Sequence, residues 1–95
     1  MIKYSYVYII GNLKPVLYIG VTSNLVRRIY EHKQEIIEGF SATYHLNKLL
    51  YFEVFEDIRE AIKREKQLKI LHRKWKLNLI RSKNPAFKDL YTEII

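Results

Sequence analysis

The chain reads as an α+β domain: a small mixed or antiparallel three-stranded sheet flanked by helices, in the order β-β-α-β-α-α. Three observations predict it. Two apolar, β-branched runs at 4–10 and 16–21 lie on either side of Gly11, Asn12 and Pro15, the punctuation of a hairpin. A third run, 49–55, is apolar and aromatic over the length of one strand. The remaining long segments carry apolar residues at helical rather than alternating spacing. Repeats, low-complexity stretches and linker-like segments are lacking, so the 95 residues are expected to form a single domain with a core over about 3–82.

Each element has its local cause. Thr22-Ser23-Asn24 is a helix start signal and Gly39 a stop signal, which predicts a helix over 24–38 with Leu25, Ile29 and Ile36 facing inward. Residues 40–48 read as a mixed connection with room for one helical turn. Asp57 is a good N-cap for a helix over 58–71, whose apolar stripe is Ile58, Ala61, Ile62 and Leu68. A further helix is expected over 73–81, and Asn84-Pro85 opens a short C-terminal tail over 83–95.

Composition narrows the function. Seventeen Lys and Arg against ten Asp and Glu leave a net charge of +7, which calls for an anionic partner, nucleic acid or a membrane surface. Cysteine is absent, excluding disulfides and thiolate zinc sites. No apolar run has the roughly 18 residues of a membrane span, and a cytoplasmic protein is expected. Between Arg59 and Lys83 ten Lys or Arg face only Glu60 and Glu65, while the rest of the chain is nearly neutral. The candidate phosphate contacts are therefore Arg27, Lys63, Arg64, Lys66, Lys69, Arg73 and Lys74. The competing reading of such a run is a solvated helix face.

Several polar residues sit where chemistry is easier to explain than packing. Tyr8 and Tyr18 fall on successive strands and can share one patch of the sheet. Arg28 and His32 lie one helical turn apart, with His32 on the apolar stripe at three residues from Ile29. His32 reads either as a hydrogen-bonded core histidine or, with Arg28, as part of a phosphate site. Glu65 interrupts the stripe between Ala61 and Leu68, so its carboxylate must be paired, protonated or bound to a cation. A salt bridge to Arg28 or a lysine and a hard-metal ligand both remain open.

These residues carry a resemblance. The chain is similar to the GIY-YIG nuclease superfamily, in particular its small standalone endonuclease group, related to the nuclease domain of the excision-repair incision subunit. Tyr6-Val7-Tyr8 stands at the first motif and Tyr18-Ile19-Gly20 at the second. Arg28 matches the family's catalytic arginine, His32 the position of a histidine or tyrosine, and Glu65 the metal-binding glutamate. Leu79-Ile80 and Asn84-Pro85 resemble the C-terminal signature of the standalone group, so the likeness spans nearly the whole chain. Two departures stand out: Tyr6 replaces the first motif's glycine, and the asparagine that some relatives use has only Asn78 as a loose counterpart.

The resemblance implies hydrolysis of phosphodiester bonds with one divalent cation, Mg²⁺ or Mn²⁺, held by Glu65. It implies that Arg28 stabilises charge on the phosphoryl oxygens, and that Tyr8 or Tyr18, with His32, orients or deprotonates the attacking water. DNA is the expected partner, in repair or recombination by analogy with the family. A non-catalytic nucleic-acid-binding module is the rival reading, but it has no use for Glu65 beside an anionic ligand. A third is a basic adaptor that uses its apolar tail to form a homodimer. No base-reading motif is present, so recognition by backbone and shape is expected.

Overall fold

The computed structural model describes residues 2–12, 15–36 and 39–95. Strands β1 (Ser5–Gly11), β2 (Leu17–Thr22) and β3 (Lys48–Phe55) form one sheet in the order β2-β1-β3. Both pairings are antiparallel, which resolves the mixed-or-antiparallel expectation. Each strand lies within one residue of its expected span. Tyr8 stands opposite Gly20 on β2 and Phe52 on β3, and Ile10 stands opposite Tyr18. Strand alternation therefore puts Tyr6, Tyr8, Ile10 and Tyr18 on one face, and Val7, Ile9 and Ile19 on the other. A bulge between Ile9 and Ile10 leaves Leu50 as an extra residue, so Leu50 and Tyr51 both enter the second face's core.

Helix α1 (Leu25–Lys33) starts where expected, with the Asn24 side chain accepting the Arg27 N–H at 3.1 Å. It ends well before Glu38, which lies outside the described residues. Glu35 takes a left-handed φ of 54°, and the Glu35 and Ile36 N–H groups donate to the His32 and Glu31 carbonyls at 3.1 and 3.0 Å. This is a Schellman closure with Glu in the position usually taken by Gly. It turns the chain outward, so Ile36 is 62 % exposed and not part of the inward stripe. Gly39, with φ 109°, precedes the single turn α2 (Phe40–Thr43) instead of ending α1.

Helix α3 (Ile58–Lys69) is capped by Asp57, whose carboxylate accepts the Arg59 N–H at 2.8 Å, and α4 (Arg73–Lys83) follows after a short bend. The buried stripe of α3 is narrower than expected: Ala61 and Leu68 are enclosed, while Ile58 and Ile62 are exposed. No helix among the described residues is long and apolar enough to cross a membrane.

The sheet has a core on each side. Val7, Ile9, Ile19, Leu50 and Tyr51 pack with Ala61, Leu68 and Ile80 of α3 and α4. Tyr8, Ile10 and Leu49 pack with Leu25 and Ile29 of α1 and with Leu46. The segment read as a tail is part of the second core, through Leu90 and the Tyr91 and Ile94 side chains of α5 (Tyr91–Ile94). The Leu90 N–H donates to the Leu49 carbonyl at 2.8 Å, and buried Asn84 donates to the Leu50 carbonyl at 3.0 Å. Lys33 of α1 pairs with Asp89. These bonds cover the outer edge of β3, which would otherwise present open backbone groups. Leu90, Tyr91 and Ile94 of this segment thus pack against the core, while Ile95 is 71 % exposed.

Candidate active site

The Tyr8 phenol is the centre of the site. It needs Gly20 opposite it: a Cβ on Gly20 would lie 2.5 Å from Tyr8 Cζ, inside van der Waals contact. The glycine of the second motif is therefore a space left for the tyrosine of the first. The Tyr18 ring lies 6.4 Å from that of Tyr8, and the His32 ring 5.6 Å from Tyr8 and 5.8 Å from Tyr18. His32 Nε2 is 2.9 Å from Tyr8 Oη, and Nδ1 is 3.1 Å from Ser41 Oγ. Both ring nitrogens of the buried imidazole are thus engaged. Ser41, on α2, carries no motif in the sequence and could be found only through the fold.

Burial, and secondarily the Arg28 charge, lower the His32 pKa from 6.5 to about 4, with Glu31 opposing; the imidazole is neutral at pH 7. Burial pushes the Tyr8 phenol well above its ordinary value of 10.0, with Tyr18 and Glu65 adding to the rise. Arg28 opposes that rise by its charge and by hydrogen bonding to the phenol. A neutral imidazole can accept at Nε2, and the Tyr8 hydroxyl, which keeps its proton, can donate to it. That assignment makes His32 the Nδ1–H tautomer, donating to Ser41 Oγ. Arg28 and Arg27 both flank Glu31, each with Nε at 3.5 Å, beside a polar cleft of about 250 Å³ lined by Thr22, Ser23 and Asn24.

Glu65, carried by α3, lies close enough for its charge to act on the same phenol. Its side chain is 16 % exposed, and the ion pair it makes is with Lys69, one turn on, at 3.5 Å. Of the salt-bridge partners left open by the sequence, Arg28 or a lysine, the structure has a lysine, and that partner is half exposed. No group of three His, Asp or Glu that could hold a metal occurs among the described residues. The donor chemistry fits a hard divalent cation that takes one protein carboxylate and fills its remaining positions with water and phosphate oxygens.

The basic residues separate into two kinds. Arg27, Lys63, Lys66, Lys69, Arg73 and Lys74 are exposed. Arg64 is not open in the same way: its guanidinium forks onto Glu53 of β3 at 2.9 and 3.0 Å, fastening α3 to the sheet. Arg73 donates to the Pro15 carbonyl, bringing the start of α4 to the head of β2. Asn78 is exposed on α4 and accepts from Arg81 at 3.0 Å.

An antiparallel sheet bearing tyrosines on its first two strands, met by an arginine, a histidine and a glutamate from two helices, defines a nuclease-type domain. Residues 4–78 match the GIY-YIG catalytic domain, and the chain belongs to that family. It is 42 % identical to a UPF0213 protein of Clostridium perfringens, over 95 % of this chain and 97 % of that one. It is 33 % identical to a UPF0213 protein of Desulfotalea psychrophila, over 90 % and 79 %. The solution NMR structure of the UPF0213 protein from Bacillus halodurans superposes with a TM-score of 0.58 at 26 % identity, covering 90 % of this chain and 92 % of that chain.

Proposed function

We propose that this protein is a metal-dependent endonuclease that hydrolyses phosphodiester bonds in DNA by a one-metal mechanism. The observation that supports this most is the approach of one sheltered carboxylate, Glu65, to a phenol that also meets Arg28 and His32. A module that only binds nucleic acid gains nothing from a carboxylate there. Glu65 would hold the cation, Mg²⁺ or Mn²⁺, which when bound polarises the scissile phosphate and stabilises the leaving oxygen.

The remaining residues have separate tasks. Arg28, half-buried at the start of α1, neutralises charge that builds on the phosphoryl oxygens. Tyr18 is only half-buried, whereas Tyr8 is enclosed, so Tyr18 is the phenol placed to orient the attacking water. Tyr8 keeps its proton at neutral pH and, tied to His32, holds the floor of the site rigid. Arg27, Lys63, Lys66, Lys69, Arg73 and Lys74 hold the nucleic-acid backbone without reading sequence.

The test is a cleavage panel of linear, nicked, branched and single-stranded DNA with Mg²⁺ or Mn²⁺, beside Glu65→Ala and a chelator control. Metal-dependent cutting that the variant lacks is expected. Tight binding with no cutting of any substrate would leave the binding-module reading instead.

A further inference from the structure

Trp75 is the chain's one tryptophan, yet it is 55 % exposed and belongs to neither core. It lies in the first turn of α4, shortly after Ile70 and Leu71 of the bend that follows α3, which are 85 % and 36 % exposed. Exposing an indole beside two aliphatic side chains forgoes the burial that would stabilise the fold, so this patch is suited to a partner. The surroundings indicate its chemistry. Lys69, Arg73, Lys74 and Lys76 neighbour these residues along the chain, and no acid occurs in the sequence between Glu65 and Asp89. Lys74 Nζ stands over the indole at 5.7 Å from its centroid. Protein interfaces are depleted in lysine, whereas an aromatic ring among cations is how single-stranded nucleic acid is gripped. A membrane surface would need a broader apolar stripe, but Leu77, Leu79 and Ile80 of the same helix are wholly or partly buried.

The start of α4 is tied to the strand that carries Tyr18, although α4 packs on the sheet's other face. Arg73 bonds the Pro15 carbonyl, three residues before Tyr18, and β2 is the outer strand of the sheet on that side. We infer that Trp75 is a stacking platform for an unpaired base, and that the site's substrates carry a single-stranded or splayed segment in addition to the cleaved bond. The substrate part of this inference rests on the nuclease reading above; the stacking part does not.

Because Trp75 is the sole indole, its fluorescence reports base stacking directly, and chelator keeps every substrate intact. Oligothymidine should quench the emission strongly, and a blunt duplex of equal length should quench it little. Trp75→Ala should weaken oligothymidine binding by about 5- to 100-fold and leave duplex binding nearly unchanged, while Trp75→Phe restores most of the affinity. Circular dichroism of the variants, expected to match wild type for an exposed residue, controls for folding. Equal quenching by duplex, an unaltered Trp75→Ala affinity, or quenching and blue shift with anionic vesicles alone would overturn the inference. So would a Trp75→Ala variant whose only change is a smaller particle in sedimentation, which would assign the patch to a second copy. Quenching by single strands without cleavage of any substrate would refute the nuclease reading and leave the platform standing. Cleavage with an unresponsive indole would do the reverse.

Discussion

Tyr8 and His32, 24 positions apart, share a 2.9 Å hydrogen bond that joins β1 to α1 at the floor of the site. Burial and the Arg28 charge keep the imidazole neutral, so its Nε2 can accept from the phenol. In the unfolded chain His32 takes a proton near pH 6.5, and in the fold only near pH 4. The unfolded state therefore binds the proton first as pH falls. Stability is full above 6.5, declines through the interval down to 4, and is lowered by about 3 kcal/mol from this group alone. Denaturant melts of wild type and His32→Gln over that interval should differ in slope, with the variant flatter. Glu53 and Asp89 act in a different window. Burial raises both, but Arg64 and Tyr51 for the first, and Lys33 with two backbone N–H groups for the second, outweigh it and hold them low. Their stabilisation is lost only below the ordinary carboxylate range.

Ser41 sets the other side of that imidazole. With Oγ 3.1 Å from Nδ1, it can accept from Nδ1–H and so favours the tautomer whose bare Nε2 accepts from Tyr8. Ser41→Ala should cost about 1 kcal/mol and let the ring exchange between tautomers. The ring ¹⁵N shifts of His32 check this: one protonated nitrogen in wild type, averaged shifts in the variant. A purely structural serine would lower the melting temperature and leave the shifts alone.

Gly20 should tolerate no side chain. A Cβ 2.5 Å from Tyr8 Cζ forces the phenol out of its place beside Arg28 and His32. Gly20→Ala is expected to lose about 1–3 kcal/mol, read by thermal melting, and cleavage should fall further than the folded fraction does.

These three residues show what local signals carry and what they omit. The strands are legible in the sequence because alternation and β-branching are properties of the strand itself, and Asn24 and Asp57 mark helix starts by hydrogen bonds within a single turn. The five residues of the candidate site are legible through their motifs and through polar side chains interrupting apolar stripes. The end of α1 is not, because Glu35 occupies a left-handed position for which Gly39 is the visible candidate. Ser41 and the role of residues 84–94 are hidden for another reason: their partners, His32 and the edge of β3, are distant in sequence. Arg64 and Lys63 look alike in the sequence, and only the position of Glu53 on β3 tells them apart.

That difference is measurable. Lys63→Ala with Lys66→Ala should leave melting within about 0.5 kcal/mol and reduce the salt slope of DNA binding by about 1 for each phosphate no longer neutralised. Arg64→Ala should behave in the opposite way, because it strands a largely buried Glu53 carboxylate and frees α3 from the sheet. A destabilisation of about 1–3 kcal/mol is expected, with little change in salt slope. Equal behaviour of the two variants in both assays would contradict the division of the basic residues into binding and fastening sets.

Glu65→Gln separates a metal ligand from a structural charge. The substitution keeps the shape and most hydrogen bonding of the side chain but removes its charge. Lys69, the ion-pair partner, is half exposed and 3.5 Å away, so losing the pair costs at most about 1 kcal/mol. Had the carboxylate neutralised a buried cation, the loss would be about 3–5 kcal/mol. If Glu65 is the ligand, the variant should therefore melt close to wild type without metal and lose the rise in melting temperature that added Mg²⁺ or Mn²⁺ gives the wild type. It should bind DNA as well or better, since a negative charge near the phosphate is gone, and cleave orders of magnitude more slowly. Calorimetric titration with Mn²⁺ gives a readout independent of activity. A variant that melts early in the absence of metal, yet cleaves at the wild-type rate per folded molecule, would return Glu65 to a structural role.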